Sequence, residues 1–414
     1  MQETMTTRRL FTTLTMLMTL MLANAQTVVS GVVTDRQTGR PLPHVSITAE
    51  GTDVHTVTND DGVFTLKVPQ RPPYIQLSHI GYKTRRQQLG DGPVTSLRIG
   101  MQASSVQIAE VFVSAQDPEE IVRAAINRIE QNYQRETELT RCFYRETVRR
   151  GSRFISIAEA VTDMCKTDYS HGPERDAVVI QKGRRLMSMK DSDTLGVKIQ
   201  GGPVMPLMVD VAKNPEYILN LEMLPYYTYR MQVPTHIDDQ NHYVISMQPQ
   251  ATTLFPLMGG LLYINTETLA ITRAELQLDV SDWRRASDYM LVRKPMGLRF
   301  RPKELNVTVV YQTDLQGITR MSYVRNVMRF NCDWRRRFFA HAFTAVSEMV
   351  VTDRLQHGRD AKRPSGRSTF GLRERFYDRV EYFDDPDFWA DYNIIEPTES
   401  LEHAISKLKK KVKN

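Results

Sequence analysis

Few residues of this chain stand in patterns that could do chemistry, and two carboxylates come first. Glu146 and Glu159 lie on the two arms of a predicted hairpin, "RETVRRGSRFISIAEA", that turns at Gly151. Two carboxylates can divide acid and base roles only if they face one pocket and their pKa values are pushed apart. With the turn centred on Gly151, residues equidistant from it oppose one another, so even positions share one face and odd positions the other. That separates Glu146 from Glu159 and sets Arg145 diagonal to Glu159, where a cross-strand ion pair is expected. A one-residue slip would bring both acids to one face and leave open a hydrolase of cell-surface polymers acting through Glu146 and Glu159. Structural pairing is the simpler reading.

Other candidates fail on spacing. His171 and Glu174, in "HGPE", have the His-x-x-Glu spacing of a zinc-ligand pair, but Gly172-Pro173 predicts a loop that fixes neither ligand. "TNDDGVFTL" (58–66) sets Asn59, Asp61 and Gly62 in calcium-loop order, yet the first ligand position falls on Val57 and the bidentate Glu position on Val68. Asn-Asp-Asp-Gly suits a hairpin turn whose far arm buries Phe64, Leu66 and Val68. Cys142, Cys165 and Cys332 have no zinc spacing, allow at most one disulfide, and read as packing residues. There is no Gly-x-Ser-x-Gly, phosphate loop, Cys-x-x-Cys or dinucleotide fingerprint. "IQGGPVMPL" (199–207) reads as a bend, and "CDWRRRFFAHAF" (332–343) as a strand end or a contact for anionic lipid or glycan. No catalytic, cofactor-binding or metal-ligating residue is assigned, no cofactor is expected, and the chain is read as a non-enzyme.

The elements around these residues imply a location and an architecture. Arg8 and Arg9, the apolar run 10–22 and "ANA" (23–25) make a secretory signal over residues 1–25, with cleavage before Gln26. The mature chain is expected to be exported, periplasmic or associated with the outer membrane, without a transmembrane span. A net charge of +6 over 414 residues is modest; with export it argues against nucleic acid and for a protein, glycan or lipid partner, with peripheral contact at the outer membrane.

Residues 26–103 read as about seven short strands broken by Gly and Pro, a small all-β sandwich. "GVVTDRQTGRPLPHVSITAEGT…TVTNDDGVFTLKV…IQLSHIGYKT" resembles the carboxypeptidase-regulatory-like domain, a transthyretin-like fold; the resemblance implies a non-catalytic module and no peptidase activity. Residues 104–356 read as an α+β domain with a large curved antiparallel sheet and one long packed helix. That helix is "DPEEIVRAAINRIEQNY", with Asp117 as cap, Glu120 returning the capping bond, and an apolar stripe through Ile121, Val122, Ala125, Ile126, Ile129 and Tyr133. A linking strand is predicted over 108–115. In "LNVTVVYQ", Leu305, Val307, Val309 and Tyr311 alternate with Asn306, Thr308, Val310 and Gln312. Residues 357–414 give a basic loop, an apolar docking segment with Phe388, Trp389 and Ile394, and a closing helix carrying Leu401, Ile405, Leu408 and Val412. That helix docks on the body or, alternatively, lies on a membrane surface.

The strand order resembles the half-barrel of periplasmic lipoprotein carriers, whose concave face shelters acyl chains. "AINRIEQNY", "CFYRETV", "IAEAV", "KGRRL", "KIQGGP" and "DPDFWADYNIIEPTESLEHAI" resemble a family of exported proteins of Bacteroidetes-type bacteria, over most of 105–408. That family has no established reaction, so the resemblance implies location and architecture alone. The function expected is a non-enzymatic cell-envelope binding protein, with lipid or lipoprotein carriage and polymer hydrolysis as alternatives. An open apolar concave face would favour lipid, and a filled one a protein partner.

Overall fold

The computed structural model describes residues 26–104, 117–188, 198–199, 201–214, 219–251, 253–293, 296–334, 341–364, 369–372, 374–382 and 388–412. The predicted signal segment, the linking strand 108–115, residues 335–340 of the arginine–aromatic run and 365–368 of the basic loop lie outside them.

Seven strands come first: β1 (Thr27–Asp35), β2 (Ser46–Ala49), β3 (His55–Val57), β4 (Val63–Val68), β5 (Tyr74–Ser78), β6 (Arg85–Gln88) and β7 (Leu97–Met101). They form two sheets, in orders β4-β1-β7 and β3-β2-β5-β6, with β1 and β7 parallel. Alternate residues of both sheets, among them Val33, Ile47, Phe64, Leu66, Ile75 and Ile99, meet in one core, which makes the unit a sandwich. The turn at 59–62 is built as the composition dictates. Asn59 Oδ1 accepts from the N–H groups of Asp61 and Val63, each at 2.9 Å, and Gly62 takes φ +74°. Its far arm buries Phe64, Leu66 and Val68 as expected. It is not a hairpin, however: β3 pairs with β2 and β4 with β1, so the turn carries the chain from one sheet to the other.

The predicted helix appears as α1 (Pro118–Asn127), followed by the single turn α2 (Ile129–Asn132). Asp117 caps it by accepting from the Glu119 N–H at 2.9 Å. Glu120 bonds Arg123 rather than returning to the cap. The strands that follow are β8 (Glu138–Arg150), β9 (Arg153–Lys166), β10 (Ala177–Met187) and β11 (Lys198–Ile199). After the turn α3 (Met205–Met208) come β12 (Tyr227–Ile237), β13 (Gln240–Pro249), β14 (Met258–Asn265) and β15 (Ile271–Leu278). Helix α4 (Trp283–Met290) and β16 (Leu291–Arg293) precede β17 (Leu298–Thr313), β18 (Thr319–Trp334), β19 (His341–His357), β20 (Glu381–Tyr382) and the closing helix α5 (Glu399–Val412). Eleven strands make one sheet, ordered β12-β13-β14-β15-β17-β18-β19-β8-β9-β10-β20. This is the α+β layout expected.

The inner face of this sheet carries Tyr144, Ala160, Ile245, Leu262, Ala274, Val309 and Val324, and α1 covers it with Ile121, Val122 and Ala125. Segments 204–212 and 219–227 and helix α4 complete the cover through Leu207, Val211, Leu224 and Ala286. The outer face receives the sandwich. Val57 meets Phe143, Val161, Tyr323 and Val350 there, with Trp389, Ile394 and Ile395 of the C-terminal segment packed between. Helix α5 lies on the same face, Leu401 and Leu408 against Ile157 and Leu186.

A side chain at Gly62 would place its Cβ 2.5 Å from the Val33 carbonyl oxygen, whereas one at Gly39 (φ +69°) meets nothing within 4 Å. Gly62→Ala should therefore cost about 3 kcal/mol or more and Gly39→Ala about 1–2 kcal/mol, read from denaturant unfolding. Millimolar calcium should move neither midpoint if the segment is a turn rather than a metal site.

Candidate functional site

The two carboxylates singled out by the sequence stand on opposite faces of the sheet. In the β8–β9 pair, Arg145 lies directly across from Glu159, and Glu146 across from Ala158. The turn takes two residues, Gly151 and Ser152, and the irregularity at Val148/Arg149 adds a second step, so the register at Glu159 lies two positions from the one predicted. The parity is unchanged, so the faces are as expected, and the ion pair is opposite rather than diagonal. The paired-carboxylate route to a hydrolase is thereby removed.

Glu159, on the outer face, is 1% exposed and fully occupied. Its Oε1 accepts from Arg145 Nε at 2.7 Å; its Oε2 accepts from Arg184 Nε at 2.8 Å and Trp389 Nε1 at 3.2 Å. Burial pushes its carboxyl up, but Arg145 and Arg184 outweigh that and hold it below the usual value. Arg145 also donates to the carbonyls of Ile395 at 2.7 Å and Glu396 at 3.5 Å, so the C-terminal segment is tied into the same cluster. From there the segment reaches the sandwich. The Asn393 amide bonds both the N–H and the carbonyl of Lys67 at the edge of β4, Asn59 Nδ2 donates to the Pro397 carbonyl at 3.1 Å, and Asp61 accepts the Glu399 N–H at 2.9 Å. Asp61 thus acts at the first residue of α5, where a carboxylate is favoured. The acids of the turn are a clasp between modules.

Glu146, on the inner face, has no ion-pair partner among the described residues. Burial raises its carboxyl; the Tyr144 hydroxyl, 3.1 Å from Oε2, and the Gly202 N–H pull the other way without cancelling it. Gly202 (φ +88°) opens the segment whose apolar residues cover the inner face. Two ion pairs fasten that segment to the rest of the domain. Lys166 Nζ pairs with Asp210, which also accepts from Tyr169 at 3.0 Å and Tyr311 at 2.7 Å. Lys213 Nζ, with no side-chain exposure, pairs with Asp176 at 2.7 Å. Burial pushes the Tyr169 and Tyr311 hydroxyls well up, so both act as donors at any ordinary pH. The Asp and Lys inside "VDVAKN" could have signalled these pairs, since charges set in an apolar stretch must find partners.

The remaining candidates do not assemble. His171 binds Asp168, its third neighbour, through Nδ1 at 2.9 Å, and no group of three or more His, Cys, Asp or Glu fit to hold a metal occurs among the described residues. The three cysteines are unbridged and buried, and burial pushes Cys142 up to about 12 and Cys332 to about 11. A cavity of about 520 Å³ opens at the Glu138 end of β8, lined by Leu355, Gln356, His357, Asp360 and Lys362; it contains neither Glu146 nor Glu159.

Comparison with known proteins bears on the first module. Residues 29–113 match the family model of the CarboxypepD_reg-like domain, in agreement with the resemblance drawn from the sequence. TonB-dependent receptor P3 of Formosa agariphila is 31% identical over 85 residues, which are 20% of this chain and 8% of that receptor. Over the larger sheet, a DUF1329 family protein from Desulfovibrio piger aligns with 57% of this chain and 94% of its own, at 12% identity and a TM-score of 0.23. A LolA superfamily protein from Nitrosomonas europaea aligns with 56% and 94%, at 12% identity and a TM-score of 0.20. At those scores the fold rests on the strand order and register given above.

The two carboxylates should respond oppositely to neutralisation. Glu159→Gln strands two buried arginines and should destabilise by about 3–5 kcal/mol; Glu146→Gln should be neutral or slightly stabilising, as thermal and denaturant unfolding will read. Acid sensitivity has a separate source. Burial lowers His44 and His55 from 6.5 to about 4, at the junction of sandwich and sheet. The unfolded chain takes up these protons near pH 6.5 and the folded chain only near 4, so stability is full above 6.5 and lost as pH falls toward 4. His55→Gln should remove about 3 kcal/mol of that pH-dependent loss.

Proposed function

We propose that this is an exported cell-envelope binding protein, not an enzyme, that acts through its outer surfaces rather than by enclosing a lipid. The observation that carries the reading is the state of the inner face. Where a carrier would leave an apolar hollow, this chain lays α1, the 204–212 segment and α4, and it locks the middle segment down through two buried ion pairs. Removing that cover would take Asp210 and Lys213 with it and leave Lys166 and Asp176 unpaired against whatever replaced it, and acyl chains offer none of the hydrogen bonds those groups need. The signal segment 1–25 and the carboxypeptidase-regulatory-like module support an envelope location. No helix of the described residues is long and apolar enough to cross a membrane.

The test is loading. Full-length chain expressed in a Gram-negative host should fractionate with the envelope and have Gln26 as its first residue. Native mass spectrometry after gentle extraction should show the bare mass, and a fluorescent acyl-chain probe should show no saturable one-to-one site. A stoichiometric bound lipid would overturn the reading in favour of a carrier.

A further inference from the structure

Large apolar side chains that face solvent are not spread evenly over the molecule. Among the described residues eleven are exposed, and Met187, Leu221, Tyr226, Leu254, Phe255, Trp283 and Met296 make up seven of them. The strand register puts all seven at one end of the large sheet. At that end β8 turns into β9, β10 finishes, β12 begins opposite the last residue of β13, and β14 begins opposite the last residue of β15. Helix α4 and the start of β17 lie there too. Hydrogen bonds hold the loops of this end together. Gln250 bonds the carbonyls of Pro225, Tyr226 and Tyr227, and Arg285 donates to the Thr253 carbonyl at 2.5 Å, which joins the Leu254–Phe255 tip to the helix of Trp283. Leu254 is 93% and Met296 99% exposed, so they project rather than cover a neighbour.

The charges around the tip are mixed, and it is arginines that stand over the aromatic ring. Arg284 and Arg301 stand over the Trp283 ring, their Cζ atoms 5.5 and 6.0 Å from its centroid. Arg149, Arg150 and Arg153 flank the neighbouring turn. Acids stand at this end as well, Glu222, Asp279, Asp282, Asp288 and Asp333 among them; Asp282 is paired with Arg285 at 3.1 Å, and Asp333 stands opposite Arg299. Projecting Leu and Met, Trp and Tyr at the margin, and arginines beside them are the composition of a surface that seats in the headgroup layer of a bilayer.

We infer that this end of the sheet is a membrane-docking surface, with Leu254 and Phe255 entering the acyl boundary and Trp283 with its arginines meeting anionic headgroups. The inference deepens the envelope reading and rests on it for location. The experiment is co-sedimentation of purified full-length chain with vesicles of phosphatidylcholine alone and with phosphatidylglycerol added. Binding to the anionic vesicles is expected, several-fold weaker to the neutral ones, and weakened by salt. The double variant Leu254→Asp, Phe255→Asp should lower partitioning roughly tenfold or more, while Leu315→Asp, at the opposite end of the sheet, should bind as the parent does. Unchanged thermal melting confirms that the variants fold. No binding to anionic vesicles, or equal binding by the double variant, overturns the inference. Envelope fractionation without vesicle binding removes the docking surface alone; vesicle binding by a chain that is not exported removes the location.

Discussion

The architecture depends on one buried carboxylate. Glu159 is withdrawn from water on the outer face of an eleven-stranded sheet, and three donors from three parts of the chain compensate it: Arg145 on β8, Arg184 on β10 and Trp389 in the C-terminal segment. A charge in that position is tolerated only when its partners are in place, so the cluster specifies the arrangement of everything attached to it. Arg145 carries the constraint to the Ile395 and Glu396 carbonyls. Asn393, Pro397 and Glu399 carry it on to the β4 edge and the 59–62 turn. The sandwich is therefore fastened to the sheet in two ways: through this C-terminal segment, and directly, by the apolar contacts of Val57, the Arg354–Asp53 and Arg325–Asp60 ion pairs and the Gly81 N–H bonded to the His236 carbonyl.

That arrangement limits what the molecule can do. The outer face is occupied by the sandwich, the C-terminal segment and α5; the inner face is occupied by α1 and the segments packed beside it. The free edge strand, β12, is broken by an irregularity between Gln232 and Thr235 with Pro234 inside it, which discourages pairing with another chain. With both faces and that edge committed, recognition falls to loops at the ends of the sheet, and one end concentrates exposed apolar and aromatic side chains.

Local pattern made much of this legible beforehand, and long-range pairing did not. Alternation located the buried residues of β4 and β17, and cap chemistry located α1, because both depend on neighbours within a few positions. Face parity separated Glu146 from Glu159 even though the register differed by two, since an even shift leaves every side chain on its own face. Arg184 was not assigned to Glu159, because no strand over 177–187 was read from the sequence and its pairing with β9 is long-range. The turn at Asn59 was expected to close a hairpin; local chemistry specifies a turn but not which sheet the next strand joins. Lys166 and Asp210 are 44 positions apart, and only the folded sheet brings them together.

The central claim is that the inner face is closed permanently by the chain's own residues. Native-state hydrogen exchange of the amides in 204–214, measured with and without phospholipid, tests it most directly. The account predicts that these amides open only with global unfolding and that lipid leaves their protection unchanged. Rapid exchange there while α1 and β17 remain protected, or loss of protection on adding lipid, would contradict it and make the segment a lid over a binding site.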